Sequence, residues 1–131
     1  SLKNTEEIHT AITKINVEED YRNYSIPKMV FSKTNKLLYS SRAAIPANKN
    51  NLFKEGYKHV CIYAFNKKHL SAFKEQTSKT KFENLEDLEI NRFLELDFTV
   101  RCINLKSSGK ALDTKEDLAN IRNLLKGPKL F

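Results

Sequence analysis

The sequence has no tryptophan, three glycines, three prolines, two cysteines and one methionine. So few glycines and prolines, set against eight phenylalanines and five tyrosines, exclude linker-like or disordered composition over most of the length. No stretch approaches the roughly 20 apolar residues that span a bilayer, and Ser1–Asn16 lacks the apolar block of a secretory leader. These absences predict a soluble, cytoplasmic domain with no membrane partner. Cys61 and Cys102 stand inside apolar runs, so they read as buried free thiols in a reducing compartment, not as a disulfide framework or a metal site. No serine or cysteine nucleophile has a recognisable partner, and His9, His59 and His69 lack zinc-ligand spacing.

What is present is enough for one core. With 131 residues, 40% hydrophobic and 30% charged, residues 1–131 read as a single domain. The 23 Lys and Arg against 16 Asp and Glu leave +7, which raises the question of nucleic acid. Most of these cations are lysines scattered from Lys3 to Lys129, the mark of a compositional bias and not of a clustered phosphate-binding stripe. No nucleic-acid partner is therefore expected, and a basic nucleic-acid-binding domain stands only as a rival reading.

The hydrophobic pattern sets the element order. Ile8–Ile15 alternates as a strand, and Val17–Pro27 is polar and irregular. KMVFSK and KLLYSS flank Thr34-Asn35, where asparagine tolerates the positive φ of a hairpin turn. Arg42–Asn51 reads as a loop, and Tyr57–Phe65 (YKHVCIYAF) as an interior strand apolar on both faces. Asn66 can cap a helix ending near Gln76, Phe82–Asp97 reads as one helix, and Phe98–Asn104 returns as a strand. Lys106–Leu112 is a predicted loop and Thr114–Lys126 a closing helix stopped by Gly127-Pro128. This order predicts an α/β layer structure: a mixed sheet with a β-hairpin and flanking helices.

Three features do not fit a bland core. On a wheel of about 100° per residue, Phe82, Leu85, Leu88, Phe93 and Leu96 share one arc of the Phe82–Asp97 helix, and Glu86, Glu89 and Arg92 fall within or beside it. A buried charge must be paired or hydrogen-bonded, so Glu89 and Arg92 pair at i,i+3, or the carboxylates line a polar cavity and take hydroxyls of a ligand. In the Tyr57–Phe65 strand the odd positions, including His59 and Tyr63, share one face. Full extension puts His59 and Tyr63 about 13 Å apart, too far to touch and suited to opposite ends of one ligand, unless both are ordinary core residues. Asp113, before the closing helix, is either its N-terminal cap or a metal ligand.

Four segments in order, SSRAAIP, KHVCIYAF, FENLEDLEINRFLE and ALDTKEDLANIRNLL, resemble the C-terminal half of the 3-deoxy-manno-octulosonate (Kdo) cytidylyltransferases, among the sugar-acid cytidylyltransferases. The resemblance implies a partial nucleotide-diphospho-sugar-transferase-like layer structure in which the anomeric hydroxyl of Kdo attacks the α-phosphate of CTP. CMP-Kdo, a precursor of lipopolysaccharide or surface polysaccharide, forms and pyrophosphate leaves, with Mg²⁺ offsetting phosphate charge. It also implies a homodimer. Carried over by motif, Asp113 is a catalytic metal ligand, Arg42 faces the acidic sugar, His59 and Tyr63 line its pocket, and Glu86 and Glu89 bind its hydroxyls. Two departures stand out. Cys61 takes the place of the family's usual glycine and narrows the pocket, and no glycine- and arginine-rich phosphate loop occurs. The nucleotide-binding N-terminal half is therefore expected to be missing and this chain alone to be inactive. A non-catalytic sugar-acid-binding or dimerisation module of the same fold is the alternative.

Overall fold

The computed structural model describes residues 7–105, and within them the alternation of apolar residues becomes a five-stranded mixed sheet. Its strands are β1 (Ile8–Lys14), β2 (Lys28–Phe31), β3 (Leu37–Ser41), β4 (Tyr57–Ala64) and β5 (Val100–Asn104), in the spatial order β3-β2-β4-β1-β5. Only the β1/β5 pair is parallel among these strands; the other neighbours run antiparallel. β1 lies between two neighbours, which is why Ile8 and Ile12 are fully buried and Thr10 nearly so. The β2/β3 hairpin forms as expected. Asn35 takes φ 67° at its turn, and the Ser32 amide donates to the Lys36 carbonyl at 2.8 Å. The hairpin tip folds onto β5, where the Cys102 amide donates to Asn35 O at 2.7 Å.

The helices are α1 (Glu18–Arg22), α2 (Lys67–Glu75), α3 (Lys81–Glu86) and α4 (Ile90–Glu95). α1 is a correction, since Val17–Pro27 reads as irregular; its acidic first turn and the Arg22–Glu18 pair at 2.8 Å support one short turn of helix. α2 begins where predicted. The Asn66 side chain accepts from the His69 amide, and the His69 ring accepts from the Asn66 amide, both at 3.1 Å.

The single helix expected over Phe82–Asp97 is two helices. Thr80 and Glu83 cap α3, and Asp87 at φ 55° closes it in the left-handed region before α4 begins. The break rotates one half of the predicted apolar arc away from the other. Phe82 and Leu85 are 42% and 68% exposed, while Leu88, Ile90 and Phe93 enter the core. The break also reassigns Arg92. It does not pair with Glu89; it forms a bidentate pair with Glu83, Nε to Oε1 at 2.7 Å and Nη2 to Oε2 at 2.9 Å.

The main core joins Ile8, Ile12, Met29, Leu37, Val100 and Cys102 from the sheet to Leu88, Ile90 and Phe93 from the α3–α4 segment. Cys102 is buried as predicted, but Cys61 is exposed, a second correction, for a reason that lies in β4. Among the described residues no helix is long and apolar enough to cross a membrane. The predicted loop over 106–112, the helix over 114–126, the stop at 127–128 and the Asp113 assignment lie outside the described residues.

Candidate functional site

Arg42 and Glu86 are brought together although 44 positions apart. β3 ends at Ser41, so the next amide, that of Arg42, is free of the sheet ladder and donates to Glu86 Oε1 at 2.9 Å. The hydroxyls of Ser41 and Tyr39 also donate to this carboxylate. Partial burial pushes the Glu86 carboxyl up, but these donors and the Arg42 charge outweigh it and hold the group below the usual carboxylate range. Burial and the bond to Glu86 push the Tyr39 phenol up to about 12. The Arg42 guanidinium spreads over three carbonyls: Glu86 O at 2.6 Å, Asp87 O at 3.0 Å and Tyr24 O at 3.1 Å. Beneath it Lys28, wholly buried, donates to Asn23 O at 2.6 Å. Two cations thus hold consecutive carbonyls of the 23–24 turn.

His59 and Tyr63 are also brought together, against expectation. Their rings meet edge to face with centroids 5.3 Å apart. The cause is a bulge in β4: Thr10 pairs with Tyr63 and Ala11 with Val60, so Cys61 and Ile62 have no partner positions on β1. The two extra residues shorten the strand locally, fold the His59 and Tyr63 side chains toward each other and push Cys61 outward. His59 Nε2 lies 2.8 Å from the Thr10 hydroxyl, and its Nδ1 lies 3.9 Å from Cys61 Sγ. Burial pushes the His59 imidazole down to about 4, so the ring is neutral at physiological pH. Burial, then the Cys61 thiol and the Glu89 carboxylate, push the Tyr63 phenol up.

Glu89 is exposed and opens α4, within electrostatic reach of Tyr63. The turn between α3 and α4 touches both groups: Glu86 before it holds Arg42, and Glu89 after it acts electrostatically on the Tyr63 phenol. The carboxylates of this turn and the neutral imidazole and phenol of β4 are groups suited to hydrogen-bonding hydroxyls. Among the described residues no group of three or more His, Cys, Asp or Glu is arranged to hold a metal ion. An open hollow of about 540 Å³, lined by Glu7, His9, Asn35 and Arg101 among others, lies beside β5; among the described residues its lining does not include Arg42, His59, Tyr63, Glu86 or Glu89.

Sequence reasoning missed Thr10, Tyr39 and Ser41. The signal for Tyr39 and Ser41 was their place on the strand leading into Arg42. Thr10 gave only the reading of a polar residue in a strand, because its role depends on the bulge opposite.

A model of the cytidylyltransferase family matches residues 1–100. The chain is similar to the 3-deoxy-manno-octulosonate cytidylyltransferase of Protochlamydia amoebophila (strain UWE25), 30% identical over 122 residues, with 91% of this chain and 47% of the relative covered. The same enzyme from Syntrophus aciditrophicus (strain SB) is 34% identical over 119 residues, covering 90% of this chain and 48% of the relative. The fold is similar to a solved structure of CMP:2-keto-3-deoxy-manno-octonic acid synthetase complexed with CTP, with a TM-score of 0.69 and 28% identity over 91% of this chain and 48% of the other. The chain spans about half the length of the curated relatives it matches.

Proposed function

The chain belongs to the cytidylyltransferase family, and from that premise we propose that residues 7–105 carry the sugar-acid side of an enzyme that couples Kdo to CTP, giving CMP-Kdo and pyrophosphate. The observation that carries the reading is the α3–α4 turn, which sets Glu86 beside Arg42 and Glu89 within electrostatic reach of Tyr63, whose ring in turn meets that of His59. In the proposal Glu89, Tyr63 and His59 hydrogen-bond sugar hydroxyls, and Arg42 supplies the positive charge for the acid. Its guanidinium already holds three carbonyls, so it binds the carboxylate with its remaining N–H groups, in a position fixed before the sugar arrives. Glu86, with three donors on its carboxylate, orients Arg42 as well as taking a hydroxyl.

CTP recognition belongs, in this proposal, to a phosphate loop that these 131 residues do not contain. Asp113 is proposed as the Mg²⁺ ligand. Among the described residues no group of three or more His, Cys, Asp or Glu is placed to complete such a site. The proposal extends to a cytoplasmic homodimer serving lipopolysaccharide or surface polysaccharide synthesis, with no nucleic-acid partner.

The test is calorimetric titration of the chain with Kdo. Saturable binding is expected, weakened at least tenfold, about 1.4 kcal/mol, by His59→Ala or Glu89→Ala. Absence of Kdo binding to the folded chain would overturn the reading. Addition of a separately expressed N-terminal half, CTP and Mg²⁺ should then restore pyrophosphate release; binding with no release would favour a non-catalytic sugar-acid module.

A further inference from the structure

The β4 bulge does more than bring two rings together. Cys61 and Ile62 have no partner positions on β1, and the Ile62 carbonyl instead accepts the side-chain hydroxyl of Thr10 at 2.8 Å. Thr10 is 3% exposed, so its hydroxyl relies on protein partners and not on bulk water. A hydroxyl carries one proton. Spent on Ile62 O, that proton leaves the Thr10 oxygen as an acceptor only, and the atom 2.8 Å from its other side is His59 Nε2. Nε2 must then carry the imidazole proton, and Nδ1 carries a lone pair.

We propose that Thr10 is a positioning residue that fixes His59 as the Nε2–H tautomer, so that Nδ1 meets a ligand as a hydrogen-bond acceptor. The nearest polar atom on the Nδ1 side is Cys61 Sγ at 3.9 Å, a thiol that can donate, and Cys61 is exposed. The donor side of the ring is held by buried Thr10 within the sheet, and the acceptor side lies toward Cys61. The group recognised there is a hydroxyl, not a carboxylate, since a neutral ring with a bare Nδ1 repels an anionic oxygen and accepts from an O–H. This rests on the sugar-acid reading for the identity of the ligand, but not for the tautomer.

The test reads the tautomer directly. Long-range proton–nitrogen correlation spectra of the nitrogen-labelled chain near neutral pH should show His59 with the proton on Nε2 and an unprotonated Nδ1. Thr10→Val should lose that single-tautomer signature and bind Kdo about tenfold more weakly, and Thr10→Ser should restore both to within about twofold. A wild-type His59 protonated on Nδ1, or an unchanged tautomer in a folded Thr10→Val chain, would overturn the proposal. If Thr10→Val does not fold, a wild-type ring protonated on Nδ1 still overturns the proposal, and Thr10→Ala takes the place of the valine variant. An Nε2–H tautomer that is lost in the Thr10 variant, in a chain that does not bind Kdo, would uphold the Thr10 lock and overturn the sugar-acid reading alone.

Discussion

Arg92 reaches back across the α3–α4 break to grip Glu83 with two parallel hydrogen bonds of 2.7 and 2.9 Å, while its guanidinium lies 3.8 Å from the centroid of the Phe73 ring. A further bond to Phe73 O at 3.0 Å ties α2 to the same residue. Both charges are buried, Glu83 at 1% and Arg92 at 9% exposure. Removing one partner strands the other, so Glu83→Ala and Arg92→Ala should each lower unfolding free energy by about 3–5 kcal/mol. An apolar double replacement, Glu83→Leu with Arg92→Met, should cost clearly less than the sum of the single changes. Urea denaturation of the three variants checks this; single losses below about 1 kcal/mol would show that the pair does not hold the helices together.

The break itself depends on Asp87. Its backbone sits at φ 55°, where a Cβ is strained and glycine is not. Its carboxylate pairs with Lys79 at 2.7 Å on the open surface, a contact that adds little. Asp87→Gly should therefore match or exceed the parent in thermal stability, and Asp87→Val, β-branched in a left-handed position, should lower Tm by about 5 °C. A lower Tm for the glycine variant would show that the Lys79 pair outweighs the backbone strain.

These two features mark the boundary of what the sequence discloses. The five strands, the hairpin at Thr34-Asn35 and the Asn66 cap follow from alternation and from side chains whose turn or capping chemistry is local. The α3–α4 break has no glycine or proline to announce it, and an aspartate in the left-handed region looks, in sequence, like any helix-surface residue. A wheel drawn straight through it therefore misplaced Phe82, Leu85 and the partner of Arg92. The β4 bulge is hidden for a related reason. YKHVCIYAF keeps its alternation through Cys61 and Ile62, and only pairing with β1 shows that two residues are looped out. The meeting of Arg42 with Glu86 was foreseen as membership of one site, through resemblance; the bond between the Arg42 amide and the Glu86 carboxylate was not.

The bulge has a consequence for acid stability. His59 titrates at 6.5 when unperturbed and is pushed down to about 4 by burial. Between those values the unfolded chain holds a proton that the native chain does not. Stability therefore rises with pH through this window, is fully present above it, and is lost as pH falls through it. The full shift corresponds to at most about 3 kcal/mol. Burial also pushes His9 down, so His59→Gln should flatten the slope of unfolding free energy against pH over this range without abolishing it. The carboxylates held low, Glu7, Glu86, Asp87 and Glu95, add a slope of the same sign from about pH 5 downward, so the His59 contribution is read in the upper part of this window. Urea midpoints measured at half-unit pH steps test the sign; an unchanged slope in His59→Gln would mean that the ring is solvated in the native chain.

Arg42 offers a way to separate scaffold from binding. Three carbonyls, on residues 24, 86 and 87, share one planar fork of donors, and the backbone amide of the same residue holds the Glu86 carboxylate. A lysine keeps the charge but presents a point donor on a flexible stem, which cannot satisfy three carbonyls in different directions. Arg42→Lys should therefore lose about 1 kcal/mol of stability, mainly through the part-buried Glu86 carbonyl, since water can reach those of Tyr24 and Asp87. If Arg42 also carries the acid of the sugar, Kdo affinity should fall by at least tenfold under conditions where the variant is fully folded. Calorimetry with Kdo and with its reduced, carboxyl-free analogue distinguishes the two roles. A loss confined to Kdo assigns the carboxylate to Arg42; equal losses for both ligands show that the guanidinium only shapes the pocket; and unchanged affinity with lowered stability makes Arg42 a clasp between β3 and α3 with no part in sugar recognition.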